Sequence, residues 1–277
     1  MRKFCNLLKR NMARGIPSFE VKILAAPGNR KEIGRQELAE DVAGFAFHNK
    51  YAIFWIADGA PGAEIRSEDY FGSRIIARYI GESFKEVTKN AIRRMRLEEE
   101  GYYENIFKET LDILKQKIER KMREEDILNY LKEKADKLPK DHAENCYLLN
   151  WSVSFIAAIV NLESFKGVIL TAGDCICVWR GEKYEIIKRH GRIFVEWRAP
   201  ANEIHIFNIK TAEKHDFVKI DKIKEIALMS DGVASKYDVE RIIKRGNISI
   251  IEEISKKTDD DKTLIVFKIG GDGDGHE

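Results

Sequence analysis

Four aspartates, Asp41, Asp58, Asp231 and Asp260, each stand where an apolar, strand-like run meets a turn. The runs are Val42 to Phe47 after Asp41, Ala52 to Ala57 before Asp58-Gly59, Ile226 to Met229 before Ser230-Asp231-Gly232, and Thr263 to Ile269 after Asp260. Two carboxylates thus leave strands and two enter them. In an antiparallel pair, the exit of one strand and the entrance of its neighbour share an edge of the sheet, so such pairing would gather all four. Converging carboxylates repel one another unless a cation stands among them. Oxygen ligands without Cys or His nearby select Mg²⁺ or Mn²⁺ over softer metals. The pattern therefore predicts a carboxylate-lined metal site. Asp174, after Ala172-Gly173, puts a fifth carboxylate at a strand exit, as a candidate outer or third-metal ligand. Taken singly, Asp-Gly is an ordinary turn, and the acidic stretches Glu40-Asp41 and Asp259-Asp260-Asp261 would be solvated loops; the combination carries the information.

The elements that must position these residues can be read from periodicity. Phe19 to Ala25 alternates like a half-buried strand, and the runs on either side of His48-Asn49-Lys50 form a hairpin. From about Ser67 the period becomes helical, through Tyr70, Ile75, Ile76, Tyr79, Ile80 and Phe84, and a second helical block extends from about Tyr102 to Leu138, where Pro139 ends it. Strands return at Trp151 to Asn161, Gly167 to Ala172, Ile176 to Arg180, Lys183 to Ile187, Glu203 to Ile209 and Lys224 to Met229. Two short helices, 238–244 and 249–256, precede the closing strand. Strands, long helices, then strands again is not doubly wound alternation. It fits an α+β class, with helices covering mostly antiparallel sheets.

With 277 residues and 44% hydrophobic content, the chain can build one large core, and no Pro/Gly/Ser-rich linker divides it. The reading is a basic N-terminal segment at 1–16, one domain at 17–269 and a Gly/Asp-rich flexible tail at 270–277. Lys+Arg 48 against Asp+Glu 46 leaves a net charge of only +2, so bulk charge gives no reason to expect a nucleic-acid partner. No apolar run approaches the roughly 18 to 20 residues a membrane span needs. The basic first residues lack the apolar core of a signal peptide. Cys5, Cys146, Cys175 and Cys177 show no disulfide spacing, which points to a reducing cytoplasm. The last two, two apart on one strand, are read as core. None of the six histidines lies beside an Asp motif. A cytoplasmic monomer is the expectation.

Read in order, Glu40-Asp41, Ile56-Ala57-Asp58-Gly59, Gly173-Asp174, Met229-Ser230-Asp231-Gly232 and Asp260-Asp261-Lys262-Thr263-Leu264 resemble the metal-dependent protein phosphatase 2C family, in its divergent prokaryotic branch. There the first Asp-Gly leads into a helix start similar to Ser67-Glu68-Asp69-Tyr70-Phe71-Gly72-Ser73. The resemblance implies a four-layer αββα sandwich with a binuclear Mn²⁺ or Mg²⁺ centre at one end of two mostly antiparallel sheets. By position, Asp58 would bridge the two ions, with the Gly59 carbonyl on one of them. Asp231 and Asp260 would complete the other, and Glu40 and Asp41 would act directly or through water. Asp174 would hold a third ion. The implied reaction is hydrolysis of phosphoserine or phosphothreonine in a protein substrate by activated water, with no phosphoenzyme.

Three positions depart from the family pattern. Gln36 stands where the family places a phosphate-holding Arg, so Arg35 or Arg30 would have to substitute. The segment Ser152-Val153-Ser154 lacks the expected Gly, and Ala60 follows the first Asp-Gly where some relatives carry His. A bidentate Arg is hard to replace. The alternative reading is accordingly a catalytically impaired pseudophosphatase, using the same fold as a binding or scaffold module.

Overall fold

The computed structural model describes residues 4–10, 17–26, 41–60, 73–99, 101–124, 129, 133, 136, 147–188, 195–200, 208–211, 216–233 and 261–270. The strands are β1 (Phe4–Arg10), β2 (Phe19–Ala26), β3 (Val42–His48) and β4 (Tyr51–Ala60), then β5 (Tyr147–Asn161), β6 (Lys166–Ala172), β7 (Ile176–Arg180) and β8 (Tyr184–Lys188). After these come β9 (Val195–Pro200), β10 (Asn208–Thr211), β11 (Asp216–Ile220), β12 (Glu225–Met229) and β13 (Lys262–Ile269). Helices α1 (Ser73–Arg93) and α2 (Tyr102–Glu124) lie between β4 and β5.

Two sheets result, and every strand pair in them is antiparallel. One has the order β1-β2-β13-β12-β7-β8; the other runs β10-β9-β5-β4-β3, with β6 beside β5 and β11 beside β6. Strand β5 forks, because Tyr147–Val153 pairs with β9 and Phe155–Asn161 with β6. Ser154 is the residue at the fork.

The sandwich explains why the central runs are continuously apolar. In β4, Ile53, Trp55 and Ala57 face the cluster beneath α1 and α2, while Ala52, Phe54 and Ile56 face the opposing sheet. Burial on both faces removes the polar alternation of a half-exposed strand. Between the sheets, Phe267 of β13 stacks on Phe54 of β4 at 5.1 Å, and Phe19 of β2 packs on Phe45 and Phe47 of β3 at 6.0 and 5.7 Å. On the other face, α1 buries Ile76, Ile80, Phe84, Val87 and Ala91, a helical stripe. Phe84 meets Trp55 and Phe155 edge-on at 6.1 and 5.4 Å. The Trp55 indole fits because Gly44 of β3 and Gly81 of α1 flank it; a Cβ at either position would overlap the indole.

The outer face of the six-stranded sheet is also covered, since Ile176, Val178, Ala227, Met229 and Leu264 are buried there. The architecture is the expected α+β sandwich of two antiparallel sheets in layers. The short helices read at 238–256, and the flexible tail beyond Gly270, lie outside the described residues.

Several boundaries differ from the sequence reading. Phe4–Arg10, taken as part of an irregular basic end, forms β1 in full register with β2. Strands β9 and β11 were not anticipated. Arg198 belongs to β9.

Candidate metal centre

The hairpin of β3 and β4 turns at Asn49-Lys50 and pairs Val42 with Ala57. Continued by one residue, that register sets Asp41 opposite Asp58. Asp58-Gly59 is not a turn, as the sequence suggested. Strand β4 continues through both residues to Ala60, with Asp58 opposite Ser154 and Gly59 opposite Val153 of β5.

Gly173 connects β6 towards Asp174 with φ of 103°, a left-handed conformation that favours glycine. Any Cβ there would collide with Ser154. The close approach lets the Ser154 hydroxyl donate to Asp174 Oδ1 at 2.6 Å, while the Asp174 N–H reaches Ser154 Oγ at 3.4 Å.

In the other sheet, β12 pairs Met229 with Ile176 on one side and with Leu264 on the other. Beyond Met229, the Ser230 N–H donates to the Thr263 carbonyl at 3.0 Å, and the Thr263 N–H donates to Ser230 Oγ at 3.0 Å. The Val233 N–H then closes a turn on the Ser230 carbonyl at 3.1 Å, leaving Asp231 exposed at its corner. Extending the β12–β7 register places Asp231 across from Asp174.

Electrostatics shows that these carboxylates converge. Asp58 is pushed up to about 10, first by burial, then by Asp41, Asp231 and Asp174. Asp41 is pushed up to about 6, chiefly by burial. Asp41 is only 4% exposed, and neither of its oxygens meets the geometry of a hydrogen bond among the described residues. The Asp58 carboxyl and the Ser230 and Thr263 hydroxyls are nonetheless near enough to temper its shift. The buried Cys175 thiol is raised by desolvation and then by Asp58, Asp174, Asp41 and Asp231. Cys175 and Cys177 are free, buried and packed between the sheets, as expected of core.

Among the described residues, no three His, Cys, Asp or Glu side chains stand close enough to hold one ion. Glu40, Arg35 and Asp260 lie outside the described residues. The donor set present still fits a hard cation. It is all oxygen, it repels itself, and it includes two buried carboxylate oxygens that no donor of the described residues meets in good geometry.

The family profile described as Protein phosphatase 2C matches residues 29–262. The chain belongs to the protein phosphatase 2C family. No functionally curated protein matches it. Among solved structures, the serine/threonine phosphatase Stp1 from Staphylococcus aureus is similar at TM-score 0.53 and 16% identity, over 95% of this chain and 99% of that one. The Mycobacterium tuberculosis serine/threonine phosphatase PstP/Ppp gives 0.51 and 11%, over 91% and 99%. A C. elegans sex determining protein gives 0.53 and 11%, over 93% and 66%. At these identities the likeness bears on the fold alone.

Within this phosphatase 2C chain, the structure brings together Asp41, Asp58, Asp174 and Asp231 of the residues singled out from sequence. It adds Ser154, Ser230 and Thr263, which hold or surround them. Ser154 stood in a segment noted only for its missing Gly. A hydroxyl two residues from another within an apolar run was the available signal, and it does not reveal the fork of β5.

Proposed function

We propose that this chain is a metal-dependent phosphomonoester hydrolase acting on phosphoserine or phosphothreonine in proteins, with two Mn²⁺ or Mg²⁺ ions. The observation that carries this is the convergence of Asp41, Asp58, Asp174 and Asp231, with Asp41 buried, in a phosphatase 2C chain. Asp58, felt by the other three, is the carboxylate suited to be shared, with the Gly59 carbonyl beside it. Asp231 and Asp260 would complete the second ion's ligands, Glu40 and Asp41 would support them, and Asp174 would take a third ion. When bound, the ions supply Lewis acidity to the phosphoryl oxygens and to the attacking water. The chain's own contribution is positional. The Ser154 hydroxyl fixes one oxygen of Asp174, the Ser230–Thr263 pair pins the start of the turn bearing Asp231, and burial holds Asp41 away from bulk water. Arg35 is assigned the substrate phosphate. A cytoplasmic monomer belongs to the same proposal, resting on cysteine usage and composition.

The test is hydrolysis of p-nitrophenyl phosphate and a phosphothreonine peptide with Mn²⁺ or with EDTA, beside Asp231→Asn. Turnover that requires metal and falls at least a hundredfold in the variant is the expected result. Near-normal activity in Asp231→Asn would remove the assigned site. Gln36, in the place of the family's phosphate-holding Arg, favours one second reading, the pseudophosphatase scaffold. That reading predicts thermal stabilisation by Mn²⁺ without turnover.

A further inference from the structure

Helix α1 carries Lys85, Lys89 and Arg93 at i, i+4 and i+8, and all three line a recess of about 340 Å³ that Lys117 of α2 also borders. The acids at the same recess already have partners: Glu82 accepts from Arg78 at 2.8 Å, and Glu86 pairs with Lys117 at 3.5 Å. Among the described residues Lys85, Lys89 and Arg93 make no ion pair, so the recess carries more cations than paired acids. The dipole at the end of α1 accounts for a cation in the last turn, which is Arg93. It does not account for Lys85, two turns earlier. On the adjoining hairpin, His48 Nε2 is buried without a hydrogen-bond partner. Desolvation, then Arg93 and Lys89, hold that imidazole below its ordinary pKa. Arg93 and Lys89 thus act both on the recess they line and on a histidine of the neighbouring hairpin.

The spacing says what kind of anion. Four helical residues advance about 6 Å, and two residues of an extended chain advance about 6.6 Å and present side chains on the same face. Acidic side chains at every second position of an extended segment therefore keep step with Lys85, Lys89 and Arg93. We propose that this recess docks an extended acidic segment of a partner protein, its carboxylates seated on Lys85, Lys89 and Arg93. A single inorganic phosphate spans only one of the two intervals. The hairpin turn and Asp58 are separated by the length of β4, roughly 23 Å for the seven steps from Tyr51. The recess is therefore a separate surface from the carboxylate cluster, and its occupancy does not depend on catalysis.

The experiment is fluorescence anisotropy of a labelled peptide alternating Asp and Ser, titrated with the full chain in EDTA. It compares the wild type, Lys89→Glu/Arg93→Glu, and Lys108→Glu/Lys115→Glu, whose lysines are exposed on α2 outside the recess. The recess pair should weaken binding at least tenfold and the control pair no more than twofold. Peptide should also raise the His48 pKa read by NMR in the wild type, because the bound carboxylates oppose Arg93 and Lys89. Circular dichroism checks folding, and Lys89→Gln/Arg93→Gln serves where charge reversal disturbs α1. Equal losses in both pairs would overturn the proposal. So would complete displacement of the peptide by an equal concentration of inorganic phosphate, or binding of phosphatidylserine vesicles with no binding of the peptide.

Discussion

Replacing Asp58 by Asn should make the metal-free protein more stable at neutral pH while abolishing its stabilisation by metal. Asp58 has a folded-state pKa raised from 3.8 to about 10, by burial first and by Asp41 next. Below 3.8 both the folded and unfolded chains hold the proton, so the site costs nothing. As pH rises above 3.8 the unfolded chain ionises while the native chain keeps its proton, and stability falls by about 1.4 kcal/mol per pH unit. The loss continues until the folded pKa is reached, so at pH 7 the penalty is about 4 kcal/mol at most. Because Asp41 and Asp58 titrate together, the measurable share for one of them is roughly 2–4 kcal/mol. Asn keeps the shape of the protonated carboxyl and removes this penalty. Urea unfolding in EDTA should show Asp58→Asn more stable than wild type by that amount at pH 7 and nearly equal to it at pH 4. Added Mn²⁺ should then stabilise the wild type alone. A variant equal to or weaker than wild type at pH 7 would refute the picture of self-repelling carboxylates.

Three other outcomes follow from the geometry. Ser154→Ala strips Asp174 Oδ1 of its 2.6 Å donor, which should weaken the weakest Mn²⁺ site, read by electron paramagnetic resonance, roughly tenfold, the value of one charged hydrogen bond near 1.5 kcal/mol; Ser154→Thr should restore it. Gly81→Ala drives a methyl into the Trp55 indole and should cost about 1–3 kcal/mol in thermal or urea unfolding, with catalysis at permissive temperature unchanged. Arg35→Ala should raise KM for the phosphothreonine peptide with little change in kcat, and an unchanged KM would move the phosphate contact to another residue.

How much of this was legible in the sequence depended on whether a signal was local. The β3–β4 hairpin was readable because its turn residues and two apolar runs are adjacent, and the same adjacency gave the pairing of Asp41 with Asp58. The end of β4 was not, because Asp-Gly is locally a turn. It is held in the strand by Ser154 and Val153 of β5, some ninety residues away, roughly as non-local pairing overrides propensity. β1 was missed because basic residues interrupt its apolar run, and its partner among the described residues is β2. The fork of β5 left no trace, since one uninterrupted apolar run serves two different neighbours in succession.

That fork connects the fold to the site. Had β5 kept one neighbour along its length, the edge beside Ser154 would be filled by backbone. Instead β9 departs after its pairing with Val153 and β6 begins at Phe155, so Gly173 can turn Asp174 in against the Ser154 hydroxyl. On the opposite edge of β5, Asp58 faces the same Ser154. A single residue thus sits between a strand carboxylate of one hairpin and the carboxylate that leads into the other sheet. At the far end of β12 the buried Glu225 is neutralised by Arg180 and Lys268, whereas at this end carboxylates face one another. The cost of gathering them is the raised titration of Asp41 and Asp58, which a bound cation would relieve.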